Sequence, residues 1–155
     1  MKIVLHQPEY EELYFRRDLL ADAETMAYNH AYGGIIDFPK EKWAGWYRRW
    51  VSEPDRRFYR YLKIDETGEF VGEAAYHYDA ELGEYLSDVV VAAQYRRKGY
   101  GIQGLTLLCE AAKKNGITRL CDNIAVDNPS VHMFFKAGFR KRGRNDECIL
   151  VEKEL

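Results

Sequence analysis

Cysteine is scarce in this 155-residue sequence, and the three present, Cys109, Cys121 and Cys148, are odd in number and far apart. That spacing supplies neither a disulfide framework nor a zinc-ligand set, so they read as reduced packing residues and no metal is expected. No apolar run approaches the roughly 18 residues of a membrane span, and IVL near the start gives way at once to HQPEYEE, unlike the core of a secretory leader. The expectation is a cytoplasmic protein with no membrane partner. Net charge is lacking too: 23 basic against 25 acidic residues leave -2, which argues against general nucleic-acid binding. There is no repeat, linker or low-complexity tract, so residues 1–155 are expected to form one domain.

What is present is a globular balance of 46% hydrophobic and 31% charged residues. Glu11 to Arg17 read as a first strand, and Asp22 as the cap of a helix through Ala23, Met26 and Ala27. After the break at YNHAYGGIIDFP, Pro39 opens a second helix whose Trp43, Trp46, Tyr47 and Trp50 share one face. Phe58–Ile64 and Phe70–Tyr78 form a hairpin about DETG, and AELG leads into a strand at Tyr85–Val91. Leu105, Leu108, Cys109 and Ala112 mark a helix ended by Asn115 and Gly116. A strand at Thr118–Val126, a short helix between Pro129 and Gly138, and strands at Phe139–Arg142 and Cys148–Glu152 about GRND complete the chain.

The segment EYLSDVVVAAQYRRKGYGI, Glu84 to Ile102, organises the rest. Gly99 and Gly101 permit close approach to the main chain, and a helix starting there presents unpaired N–H donors at the positive end of its dipole. Arg96, Arg97 and Lys98 add full charges, so the combination suits a diphosphate. A solvated basic loop before an ordinary helix is the plainer alternative.

With Asn128, Ser130 and the Gly138–Phe139 pair placed after the next strand, the sequence resembles the GNAT superfamily of acyl-CoA-dependent N-acetyltransferases over nearly its whole length. The resemblance rests on Arg96, Gly99 and Gly101 as the Arg/Gln-x-x-Gly-x-Gly/Ala signature. It implies an α+β fold: a mixed, mostly antiparallel sheet of about seven strands, flanked by helices and splayed between the fourth and fifth. It further implies acetyl-CoA as cosubstrate. The main chain of Val89, Val90 and Val91 would pair with the pantetheine arm, the amides from Arg97 through Lys98, Gly99, Tyr100 and Gly101 to Ile102 would take the pyrophosphate, and Asn128 would touch the arm further along. The basic cluster Lys136, Arg140, Lys141, Arg142 and Arg144 could face the adenosine phosphate, but a solvated surface is the favoured reading.

Many members of that superfamily place a Tyr four residues before this Gly as acid for the leaving thiolate. Here the position is Phe134, or Phe135 if the register slips by one, and neither can donate a proton. A base for the amine is sought among carboxylates: Asp88 and Glu84 rank equally, then Glu73. Tyr28, Tyr32, Phe38, Trp43, Tyr76 and Tyr78 fall in segments that border the acceptor pocket of the superfamily, which suits a small cationic amine. The expected reaction is direct acetyl transfer to a primary amine on a small molecule or a protein, with monomer and homodimer both open. A non-catalytic acyl-CoA-binding regulator is the alternative that Phe134 raises. Gly99, Gly101 and Gly104 also spell GxGxxG with Asp122 downstream, but seven residues separate Val91 from Gly99, which disfavours a dinucleotide fold.

Overall fold

The computed structural model describes residues 1–155, and its architecture is a seven-stranded sheet in the order β1-β2-β3-β4-β5-β7-β6. The strands are β1 Ile3–His6, β2 Arg57–Ile64, β3 Phe70–Asp79, β4 Glu84–Val91, β5 Arg119–Ala125, β6 Arg140–Arg144 and β7 Cys148–Glu154. The helices are α1 Leu13–Ala21, α2 Trp43–Tyr47, which runs on as a π-helical turn through Ser52, α3 Tyr100–Lys114 and α4 Val131–Lys136. All neighbouring strands are antiparallel except β4 and β5, which are parallel and meet at a single register pair, Leu86 with Cys121. Ser87 Oγ donates to the Cys121 carbonyl at 3.1 Å beside that pair. Beyond it the two strands part.

The mixed, splayed sheet agrees with the expected fold class, but the N-terminal elements differ from the sequence reading. Glu11–Arg17 is not a strand. A 3-10 turn at Tyr10–Glu12 leads straight into α1, because the Glu12 carboxylate accepts the Glu9 N–H at 2.8 Å while the Glu12 N–H donates to the Glu9 carbonyl at 2.9 Å. Leu13 and Leu20, two turns apart, then bury on one side. The first strand is instead Ile3–His6, only four residues long and ordered by pairing with β2. Asp22 does cap the segment after α1, accepting the Thr25 N–H at 3.1 Å and the Thr25 hydroxyl, but that segment is a 3-10 stretch, Thr25–Tyr32, kinked at Asn29.

Period-two alternation divides the core between the two faces of the sheet. On one face Ala74 of β3 and Leu120, Ile124 and Val151 pack under Leu105, Leu108 and Ala112 of α3 and Val131 and Phe134 of α4. On the other, Tyr59, Tyr61 and Ala75 pack against Leu13 and Leu20 of α1, Phe38, and Trp43 and Trp46 of α2. This second face holds the buried ion pair of Arg16 and Glu73, 2.7 Å apart, with the Tyr59 hydroxyl also donating to Glu73. The guanidinium lies over the Trp46 ring at 4.4 Å and near Phe38 at 5.1 Å.

Removing one member of such a pair strands the other charge. Arg16→Met is therefore expected to lower the unfolding free energy by about 3–5 kcal/mol in urea titration at neutral pH. An unchanged midpoint with an unchanged slope would show that Glu73 does not depend on Arg16.

Candidate active site

The separation of β4 from β5 opens a cleft of about 1000 Å³. It runs between the 3-10 stretch on one side and the start of α3 with α4 on the other. No β4–β5 pairing extends past Leu86, so the backbone edge of Val89–Val91 faces this cleft without a ladder partner. At the end of β4 a loop turns into α3, and its geometry depends on the two glycines. Arg97 and Gly99 both take left-handed backbone angles, with φ of 64° and 81°. Around Gly99 a Cβ would meet nothing within 4 Å, so the main chain there is open to a ligand. At Gly101 a Cβ would stand 2.8 Å from the Met133 sulfur, so this glycine lets α4 close down on the first turn of α3.

The amides of residues 97–102 have no acceptor within the chain, the first bond of the turn being the Gln103 N–H to the Gly99 carbonyl at 3.3 Å. Six free N–H groups at one helix start, flanked by exposed Arg97 and Lys98, make an electropositive cradle of a kind that suits an anion such as a diphosphate. Arg96 has a different use. Its guanidinium donates to the Val91 carbonyl at 3.1 Å and to the Thr25 carbonyl at 2.8 Å, while the Thr25 hydroxyl accepts the Ala93 N–H at 2.9 Å. It holds the loop to the 3-10 stretch.

Of the residues singled out in the sequence, Asp88, Val89, Val90, Val91, Arg96, Arg97, Gly99, Tyr100, Gly101, Ile102, Asn128 and Phe134 line the cleft, and Lys98 does not. The Asn128 side-chain oxygen accepts the Ser130 N–H at 3.0 Å and shapes the entry to α4. Of the two phenylalanines, Phe134 is 3% exposed, lines the cleft and meets Phe139 edge-on at 5.0 Å, whereas Phe135 is 40% exposed and does not line it. Among the aromatics, Tyr28 and Tyr32 line the cleft. Phe38, Trp43 and Tyr76 are core, and Tyr78 lines a separate crevice.

The three candidate carboxylates are separated by their surroundings. Glu84 lies outside the cleft, gripped by Arg119 at 2.7 Å and Arg142 at 3.3 Å, and the Cys121 thiol donates to it at 3.1 Å. The thiol bond and then the two arginines hold its carboxyl below the ordinary range, which suits a structural anion. Glu73 is buried and committed to Arg16 and Tyr59. Asp88 alone faces the cleft, with no hydrogen bond or cation against it. Water reaches it from the cleft, yet protein crowds it on the remaining sides, and that loss of solvent, reinforced by the Glu73 charge and opposed by Arg16, pushes it up to about 6. Tyr28 is pushed upward by the same crowding and by Asp88, and so stays a neutral phenol. Three further lining groups do not stand out as site residues in the sequence: Asp122 on β5, and the exposed pair His30 and Asp127, bridged at 2.9 Å. Asp122 does carry a visible signal, a charge between Leu120 and Ile124 in an alternating strand.

Comparison with known proteins agrees with this geometry. The fold matches the crystal structure of a GNAT-family acetyltransferase from Bacillus anthracis with a TM-score of 0.79 at 16% identity, covering 99% of this chain and 95% of that one. It matches spermidine N-acetyltransferase from Vibrio cholerae, solved with CoA and spermine, with a TM-score of 0.81 at 13% identity over 99% and 95% of the chains. An aminoglycoside acetyltransferase in complex with coenzyme A gives 0.80 at 15% identity, again over 99% and 95%. At these identities the likeness concerns the fold, but residues 11–139 also match the acetyltransferase (GNAT) family by sequence. The chain belongs to the GNAT acetyltransferase family.

Proposed function

We propose that this protein transfers an acetyl group from acetyl-CoA directly to a primary amine, and that the acceptor is a small cationic molecule. The observation that carries the reading is the row of six unpartnered amides, residues 97–102, at the mouth of the gap between β4 and β5. An adenosine diphosphate end fits those amides with Arg97 beside them, and the amide-bearing arm of the cosubstrate fits along the open edge of Val89–Val91, toward Asn128 and Phe134. The structural neighbours solved with coenzyme A support the donor, and those named for spermidine and aminoglycosides support an amine acceptor.

The cleft is polarised in a way that suits both substrates. Arg97 and Lys136 line it along with the cradle, Asp88, Asp122 and Asp127 supply negative charge, and Tyr28 and Tyr32 line it with them. A protonated amine is drawn by these carboxylates and by the faces of the two tyrosines. An alkylamine with a pKa near about 10.4 loses one proton to water before it attacks and a second as its bond to the acetyl carbon forms. Asp88 is the group suited to take the second, being ionised above about 6 and free of any cation that would hold its charge. Bound acetyl-CoA supplies an activated thioester. Phe134 packs beside it without proton chemistry of its own.

Acetyl-CoA at about 100 times its dissociation constant is expected to stabilise the fold by roughly 2.7 kcal/mol, with NADH without effect, in a thermal-shift series. Gly99→Val fills the open approach and strains a left-handed position, and should weaken coenzyme A binding in calorimetry while the protein stays folded. A shift by NADH alone, or unchanged coenzyme A affinity in folded Gly99→Val, overturns the assignment of the cradle.

With the best acceptor from an amine panel, followed by release of free thiol, kcat/KM should rise as pH passes through about 6, because the base must be deprotonated to act. Asp88→Asn should lower kcat/KM by about a hundredfold and abolish that limb. Full activity with the limb intact rejects Asp88 as base. Tight coenzyme A binding with no turnover on any amine or peptide points instead to an acyl-CoA-binding regulator.

A further inference from the structure

The cleft holds a second carboxylate for which the fold has no structural use. Along β5, Leu120, Asp122 and Ile124 project to the same face, and both neighbours are core residues, so an apolar side chain is what packing calls for at 122. Other carboxylates around the sheet have side-chain partners: Glu73 has Arg16, Glu84 has Arg119 and Arg142, and Asp127 has the imidazole of His30. Asp122 has only the N–H of its own neighbour Asn123, at 2.7 Å. It and Asp88 are the two cleft carboxylates with no cation against them.

Their placement is complementary. The strands part after Leu86 and Cys121, and Asp88 lies two residues beyond the first while Asp122 lies one beyond the second. Asp88 is in register with Ala75, whose face belongs to α1 and α2; Asp122 is in register with Val151, whose face belongs to α3 and α4. The two therefore stand on opposite faces of the opening. Asp122 shares its side with the phosphate cradle on α3 and with Phe134 on α4, the position that has no proton to give.

We propose that Asp122 donates the proton to the departing thiol sulfur while Asp88 receives the proton of the attacking amine. This assignment rests on the acetyl-transfer reading above. The Asp122 carboxyl is held well above the ordinary range, first by loss of solvent and then by the nearby Asp88 charge, and the single Asn123 amide opposes this. The proposal requires Asp122 to hold its proton while Asp88 is ionised, a division of labour between two carboxylates in unlike surroundings. Tyr28, Glu73 and Arg16 face the pair from the Asp88 side, as does Cys148 of β7, whose register partner Ala125 projects away from the Asp122 face, while His132 and Lys136 of α4 face it from the other.

The protons balance. The neutral amine forms its bond to the carbonyl carbon and yields one proton to the Asp88 carboxylate; the carbon–sulfur bond breaks with its electron pair going to sulfur, which takes the Asp122 proton. The pair begins and ends with one proton, moved from Asp122 to Asp88, and its return across the gap restores the starting state.

The test begins with the free protein, so it does not depend on acetyl transfer. Carbon-13 NMR of carboxyl-labelled aspartates should show Asp122 still protonated at a pH where Asp88 is ionised, and Asp88→Asn should lower the Asp122 midpoint toward the ordinary value by removing the Asp88 charge. Asp122 titrating with the exposed aspartates overturns the proposal. In turnover, Asp122→Asn should lower kcat about a hundredfold and remove the high-pH decline, with coenzyme A affinity retained in calorimetry. A pH–rate profile identical to the parent in kcat and in both limbs overturns it equally. Loss of coenzyme A binding or turnover by the parent protein would instead strike the acetyl-transfer reading, and the NMR result would stand by itself.

Discussion

The backbone left open where β4 and β5 separate is the constraint on which the rest of the molecule depends. Peptide groups inside a sheet are ordinarily paired, and an unmatched edge is tolerated only where water or a ligand can reach it. Here the edge is held apart on both faces. The helices α3 and α4 are locked to the sheet by Leu105, Leu108 and Phe134 on one side, and α1 and α2 by Leu13, Trp43 and Trp46 on the other. Leu86, Ser87 and Cys121 keep the strands joined at one end. The cleft is therefore a wedge, and every group assigned a chemical task stands along it.

Charge is sorted by the same wedge. Carboxylates that serve the fold are saturated by arginine, as Glu73 is by Arg16 and Glu84 by Arg119 and Arg142. Asp88 and Asp122 on the cleft are left without cations, which raises the cost of ionising them. The contrast between Glu84 and Asp88, four residues apart on one strand, is set by the groups opposite them rather than by residue type.

Much of this is legible in the chain. The hairpin and meander from Phe58 to Val91 declare themselves through alternation and through the DETG and AELG turns, and α3 through the spacing of Leu105, Leu108 and Ala112. The cradle is legible because two glycines and a basic run lie next to each other. The features that escape a reading of the sequence are non-local or depend on fine balance. Ile3–His6 is too short to signal a strand without β2 beside it, and YEELYFRR fits alternation as well as a helix until the bond between Glu9 and Glu12 and the burial of Leu13 decide. Glu84 and Asp88 cannot be ranked by sequence because the arginines that engage Glu84 arrive from β5 and β6. Asp122 stands out there only as a candidate ribose-binding acid, since its meaning depends on which strand it faces.

The bonds around Thr25 carry one more consequence. A wholly buried threonine accepts from Ala93 through its hydroxyl and from Arg96 through its carbonyl, and Arg96 also grips the end of β4. The wall that carries Tyr28 and the turn that carries the six free amides are thus bolted to one joint. Displacement of either is transmitted to the other through a few short polar bonds, so the two halves of the cleft behave as a single jaw and not as independent pockets.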